Sequence, residues 1–239
     1  MTLKMTMFAS VAVTLAGASA LAAAASAQPI FHPPSAQDFQ GVWLIQNPTA
    51  TLKTVEGKLP PMTPAAAKIY AAHLAARKAG KPDFDTARAC EPHGLPRLLF
   101  SNYPVQVLQE PKQVTFIHEV HHMPRLVFLD ADQPKVEDRD QNWLGFSTGR
   151  WDGDALVVQT AGFNDQTTLD TAGLPHSTDL VVSERLSKVD ADTLADLITV
   201  TDPKMYTRAW TVKAIFKRQS GRRLQEYVCT DVNPEADAH

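Results

Sequence analysis

From residue 104 to residue 230 the chain breaks into short stretches of alternating apolar and polar residues separated by turn formers, and that pattern limits what it can fold into. Alternation with a period of two puts the apolar side chains of a strand on one face and the polar ones on the other. Such stretches lie near 104–109, 113–120, 125–130, 144–151, 154–160, 180–188, 193–201, 208–217 and 222–230. Asp152-Gly153 and Ser220-Gly221 provide hairpin turns between neighbours. With an earlier strand over Phe39 to Gln46 the total reaches ten. A sheet of that many strands exposes long edges unless it curls shut. The expected fold is therefore mainly β, a closed antiparallel barrel of about eight to ten strands. Two longer connections, 131–142 and 161–179, interrupt the meander, and connections of that length in a small domain are often functional.

One helix is well marked, over about 64–79. Thr63 is a good N-cap, Pro64 suits the first turn, and Gly80 follows the last Ala-rich turn. Ile69, Leu74 and Ala75 give it little apolar surface, which places it on the outside of the β domain.

The N-terminus carries the features of a secretory signal. Lys4 supplies the positive charge, Phe8 to Ala25 is apolar and uncharged, and Ala25-Ser26-Ala27 gives the small-x-small pattern of a cleavage site. The expected organisation is a signal peptide over 1–27 and a single β-barrel domain over 28–239, with a Pro-rich arm over Gln28 to Pro34. A retained membrane anchor is the competing reading, but an Ala-rich run of borderline length would hold a bilayer weakly. The expected location is periplasmic or secreted, with no membrane association after cleavage. The formal charge is −3 with no basic patch, which makes nucleic acid a poor partner. A homo-oligomer is compatible with these features. Two cysteines, Cys90 and Cys229, are expected to pair in an oxidising compartment. Closing so long a loop contributes roughly 4 kcal/mol in the chain-entropy model.

Gly41-Val42-Trp43 on the first strand resembles the G-x-W signature of lipocalins. That resemblance implies a basic residue from a late strand, among Lys217, Arg218, Arg222 and Arg223, lying over the Trp. A longer match is Gly149-Arg150-Trp151-Asp152-Gly153-Asp154-Ala155-Leu156-Val157-Val158 followed by Gly162-Phe163-Asn164-Asp165. Pro175-His176-Ser177, Glu184-Arg185, Asp202-Pro203 and Tyr206-Thr207 continue it. This pattern resembles a large family of exported, mostly uncharacterised bacterial proteins with a lipocalin-like barrel, which implies fold and export rather than a reaction.

Three groups of residues are candidates for chemistry. The first is His118-Glu119-Val120-His121-His122 with Arg125. Strand alternation puts Val114, Phe116, His118, Val120 and His122 on one face, and a bulge near His121 would change the end of that set. Acid/base work by Glu119 or a histidine competes with a purely structural role and with a metal site. A metal is the weakest of these, because His118 and His122 stand roughly 13 Å apart on a regular strand. The second group is the 161–179 loop, where Asp165 and His176 can exchange or orient protons; the alternative is that its Asn and Asp residues are turn formers. The third is Glu184, which falls on the apolar face of its strand and needs a partner such as Arg125 or Arg150. Tyr206 presents a phenol, or else packs as an aromatic plug.

No glycine-rich phosphate loop and no G-x-S-x-G elbow occur, so no cofactor and no serine-hydrolase machinery are expected. The functional expectation is acid/base chemistry of the lyase or isomerase type on a small hydrophobic or aromatic hydroxylated molecule. The assigned residues are His122, Glu119, His176, Arg150, Arg125, Tyr206 and Asp165, with Trp43, Trp143, Trp151 and Trp210 as pocket walls. The alternative is a non-catalytic carrier of hydrophobic small molecules.

Overall fold

A computed structural model describes residues 35–232, so the expected leader and the arm after it lie outside the described residues. Nine strands follow in chain order: β1 (Gly41–Ile45), β2 (Val105–Glu110), β3 (Gln113–His118), β4 (Pro124–Phe128), β5 (Phe146–Asp152), β6 (Ala155–Ala161), β7 (Val181–Asp190), β8 (Thr193–Thr201) and β9 (Trp210–Arg218). Each pairs with the next, and β1 pairs with β9, so the sheet closes into a barrel.

Eight of the nine ladders are antiparallel; the expectation of a wholly antiparallel barrel is corrected at β4 and β5, which run parallel. After β4 the 129–145 segment returns to the end where β4 began, so β5 starts in the same direction. The parallel seam has two residue pairs, Val127 with Ser147 and Phe128 with Thr148. Gln133 ties the returning segment to the next two strands: its amide donates to the carbonyls of Phe146 on β5 and Gln159 on β6 and to Thr148 Oγ1.

The tenth expected strand, 222–230, is not formed. β9 already uses β1 as its outer neighbour, which leaves the following chain no edge to join. The tail instead crosses the corner between β3 and β4 and ends in a short helix, Cys229–Val232, tied to Cys90 by a disulfide with a Cα–Cα distance of 5.6 Å.

The helix α1 (Pro64–Lys78) forms as its caps predict, and it buries only Ala66 and Tyr70. Thr63 Oγ1 accepts from the Ala66 amide at 3.2 Å. Replacing Thr63 with Ala strands that amide and should cost about 1 kcal/mol of stability in urea unfolding, with Thr63→Asp recovering most of it.

The G-x-W segment has a direct structural account. The Arg218 guanidinium lies 4.3 Å from the centre of the Trp43 ring and donates to the Gln40 carbonyl at 2.6 Å. Gly41 has φ +125°, and a Cβ there would fall 2.6 Å from Arg218 Nη1. Only glycine leaves room for the cation over the indole.

Candidate functional site

Inward alternation along six strands converges on one small cavity inside the barrel. Trp43 of β1, Val105 and Val107 of β2, Phe116 of β3, Leu186 of β7 and Phe216 of β9 contribute apolar walls. His118, Glu184 and Asp196 contribute the polar ones. The cavity is small, with about 20 Å³ over which the centre of a water molecule can move. Leu99, from the 3-10 turn Arg97–Phe100, is the one lining residue that no strand carries.

Beside the cavity, Arg125 is 3% exposed and engaged through all three of its nitrogens. Its Nη1 donates to Glu184 Oε1 at 2.9 Å and its Nη2 to Glu184 Oε2 and to Thr160 Oγ1. Its Nε donates to Ser147 Oγ at 3.2 Å. Register explains the convergence: Arg125 pairs with Phe116 on β3, while Ser147, Thr160 and Glu184 are inward residues on β5, β6 and β7. One guanidinium therefore links four adjacent strands from the inside. Asp196, 3% exposed, is a diagonal neighbour of Glu184, since Leu186 pairs with Asp196 and Glu184 with Ile198. Burial, followed by the Glu184 charge, holds the Asp196 carboxyl well above the usual carboxylate range, with Arg125 opposing. Asp196 is thus biased toward its protonated form beside a paired Glu184. Its Oδ1 is buried and has no hydrogen-bond partner.

His118, 2% exposed, ends β3 opposite Val105. Burial, with Arg125 as a secondary cause, lowers its pKa to about 3, so the imidazole is neutral in the physiological range. Its Nε2 is also buried without a partner. The barrel interior therefore presents a neutral imidazole and a carboxyl biased toward its protonated form to the same apolar space. Each has an unfilled hydrogen-bonding atom, which is unusual for buried polar groups.

The residues assigned from sequence occupy different places. Arg125 reaches the cavity wall through Glu184, and the pairing of Glu184 with Arg125 follows the expectation. Glu119 is buried in the β3–β4 corner, where its Oε2 accepts from the Gln225 amide at 2.7 Å. His122 is exposed and its Nε2 accepts from the Tyr227 amide at 2.7 Å. The corner starts at Glu119, one turn earlier than a straight strand would allow, and this carries His122 away from the His118 face. His176 is buried in the 161–179 loop with both ring nitrogens engaged. Nδ1 donates to the Ser177 carbonyl at 3.1 Å, which leaves Nε2 to accept from Thr167 Oγ1 at 2.8 Å. Burial also lowers its pKa. Tyr206 donates to the Pro175 carbonyl at 2.8 Å, and burial raises its pKa. Asp165 is exposed and accepts from Gln166. Arg150 is exposed on the outer face of β5, where it lines a surface cleft with Asp130, Asp132 and Gln133.

The 161–179 loop is held by carboxylates rather than open to a ligand. Asp170 accepts from the amides of Leu52, Gly173 and Leu174, and Asp202 from the amide and hydroxyl of Ser177. The early histidine cluster and the Pro-His-Ser loop do not share the interior cavity. Of the four tryptophans only Trp43 lines it. Among the described residues no three His, Cys, Asp or Glu side chains are placed to hold a metal ion, and no helix is long and apolar enough to cross a membrane.

Asp196 went unassigned although the alternation that singled out Glu184 marks it equally. Leu194, Asp196, Ile198 and Val200 share one face of β8, and only Asp196 among them is polar. No known family model matches this sequence, and no curated protein matches it.

Proposed function

We propose that the protein is an exported enzyme that performs acid/base chemistry without an organic cofactor, of the lyase or isomerase type, on a small aromatic or hydrophobic molecule bearing a hydroxyl group. One observation carries the reading: His118 Nε2 and Asp196 Oδ1 are both buried, both unpartnered, and both belong to side chains lining one apolar cavity. A neutral imidazole accepts a proton and a protonated carboxyl gives one, so the two suit removal and return of a proton on a bound molecule. Burial and the Glu184 carboxylate bias the Asp196 carboxyl toward its protonated form, against the pull of Arg125. Trp43, Phe116 and Phe216 supply aromatic walls suited to a ring. The disulfide supports an oxidising compartment. The resting cavity has space for little more than water, so loading displaces Leu99, whose movement breaks no strand ladder.

Incubating the protein with a panel of phenolic alcohols and aromatic dimers tests this. Turnover should fall about 10²- to 10⁴-fold in His118→Ala and in Asp196→Asn, while Glu119→Gln retains it. Binding of panel members without turnover would make the protein a carrier. Turnover unaffected by both cavity substitutions would overturn the assignment of the site.

A further inference from the structure

We propose that the Cys90–Cys229 disulfide is a reducible latch over the entrance to the cavity, opened by a dithiol; this rests on the cavity being the functional site. The disulfide joins two segments that enclose the His118 end of the barrel. One runs from Cys90 through His93 to the turn bearing Leu99, the movable wall of the cavity. The other is the tail after β9. Its Gln225 and Tyr227 amides are held by Glu119 and His122, immediately past His118.

Between the two segments sits His121. Its ring meets His93 at 4.8 Å on one side and Tyr227 at 5.5 Å on the other, and Tyr227 also meets Tyr103 at 5.2 Å. Cys90 lies three residues before His93 and Cys229 two after Tyr227, so the bridge clamps both walls onto His121. The seat is built of atoms that would gain from opening. His93 Nδ1, His121 Nε2 and Arg97 Nε are buried there without hydrogen-bond partners. Among the described residues three non-glycine residues adopt a positive φ, Cys90, His121 and His122, and all belong to this seat. Left-handed backbone at such residues persists only where the surroundings impose it. Both cysteines are half-buried rather than sealed, which gives an attacking thiolate a route to sulfur.

The exchange is a two-electron step. A thiolate of the dithiol attacks one sulfur to form a mixed disulfide, and its second thiol then displaces the protein. Cys90 and Cys229 are left as thiols and the dithiol as a cyclic disulfide. The freed tail and the Cys90–Phe100 segment then separate around His121, and Leu99 can leave the cavity.

Hydrogen exchange by mass spectrometry, with and without dithiothreitol, tests the latch. On reduction, amides in 90–101 and 222–230 should exchange at least tenfold faster, while β6, β7 and β8 are unchanged. Diethyl pyrocarbonate should then label His118 and His121 faster. Cys229→Ser should behave as reduced protein without a reductant. Tyr227→Ala, which keeps the disulfide, should by itself speed exchange in 222–228 and labelling of His121. Unchanged exchange in both segments after reduction would overturn the proposal. So would acceleration spread equally over β6 to β8, which would make the bridge a brace of the whole barrel. None of these readouts uses turnover, so a latch that opens over a barrel that converts no panel compound would refute the acid/base reading alone.

Discussion

Replacing Arg125 with methionine should lower the free energy of unfolding by about 3–5 kcal/mol, the range for removing one partner of a buried, hydrogen-bonded ion pair. The guanidinium donates to Glu184, Thr160 and Ser147 in a region almost without solvent. Methionine matches much of its volume but leaves the Glu184 carboxylate without its counter-ion and beside Asp196. The urea midpoint should drop with little change in slope. The double replacement Arg125→Met with Glu184→Leu should recover a large part of the loss, because the buried charge is then gone as well as its partner. A single-variant loss below about 1 kcal/mol would show that water reaches this network and that the low-dielectric account of it is wrong.

Stability should rise steeply between about pH 4 and pH 6.5 and decline again on the alkaline side. His118 and His93 both have folded-state pKa values lowered to about 3, chiefly by burial, against an unfolded value near 6.5. Between those values the unfolded chain binds protons that the folded one refuses, so stability is lost as pH falls through 6.5 toward 3. Asp196 acts in the opposite sense. Its folded-state pKa is raised by burial and by the Glu184 charge, whereas the unfolded carboxyl releases its proton above about 3.9. His121 and His176 are shifted in the same sense as His93 and His118, and Asp170 in the same sense as Asp196, so four imidazoles act against two carboxyls and the acid limb rises on balance. Above pH 6.5 the histidines no longer contribute, and Asp196 makes stability fall until its own folded-state pKa is passed. Urea unfolding across pH 4–9 measures the profile. His118→Phe should flatten the acid limb and Asp196→Asn the alkaline one. A wild-type profile level from pH 4 to 6.5 would mean that these imidazoles are hydrated in the folded protein.

The barrel itself was legible because period-two alternation is a local property, and the nine strands appear within a few residues of the positions it marks. The ion pair of Glu184 with Arg125 was legible for the same reason, since a carboxylate on an apolar face requires a cation. What alternation does not carry is the point at which a strand ends. The chain leaves β3 at His118, so the next four residues turn out of the barrel and Glu119 and His122 become anchors for the tail. His176 illustrates a second limit. Nothing local to Pro175-His176-Ser177 reveals that Thr167 and the Ser177 carbonyl take up both ring nitrogens. The parallel direction of β5 was equally hidden, because an extended segment has the same pattern whichever way it runs.

The short parallel junction between β4 and β5 has a consequence for how the cylinder breathes. Every other joint in the hoop must break a ladder of three or more rungs to part, whereas this one has two. It is buttoned from within by Arg125 of β4 reaching Ser147 of β5. A parting of the hoop meets least resistance there, so closure of the cylinder at this joint leans on one buried guanidinium as well as on the sheet's own rungs.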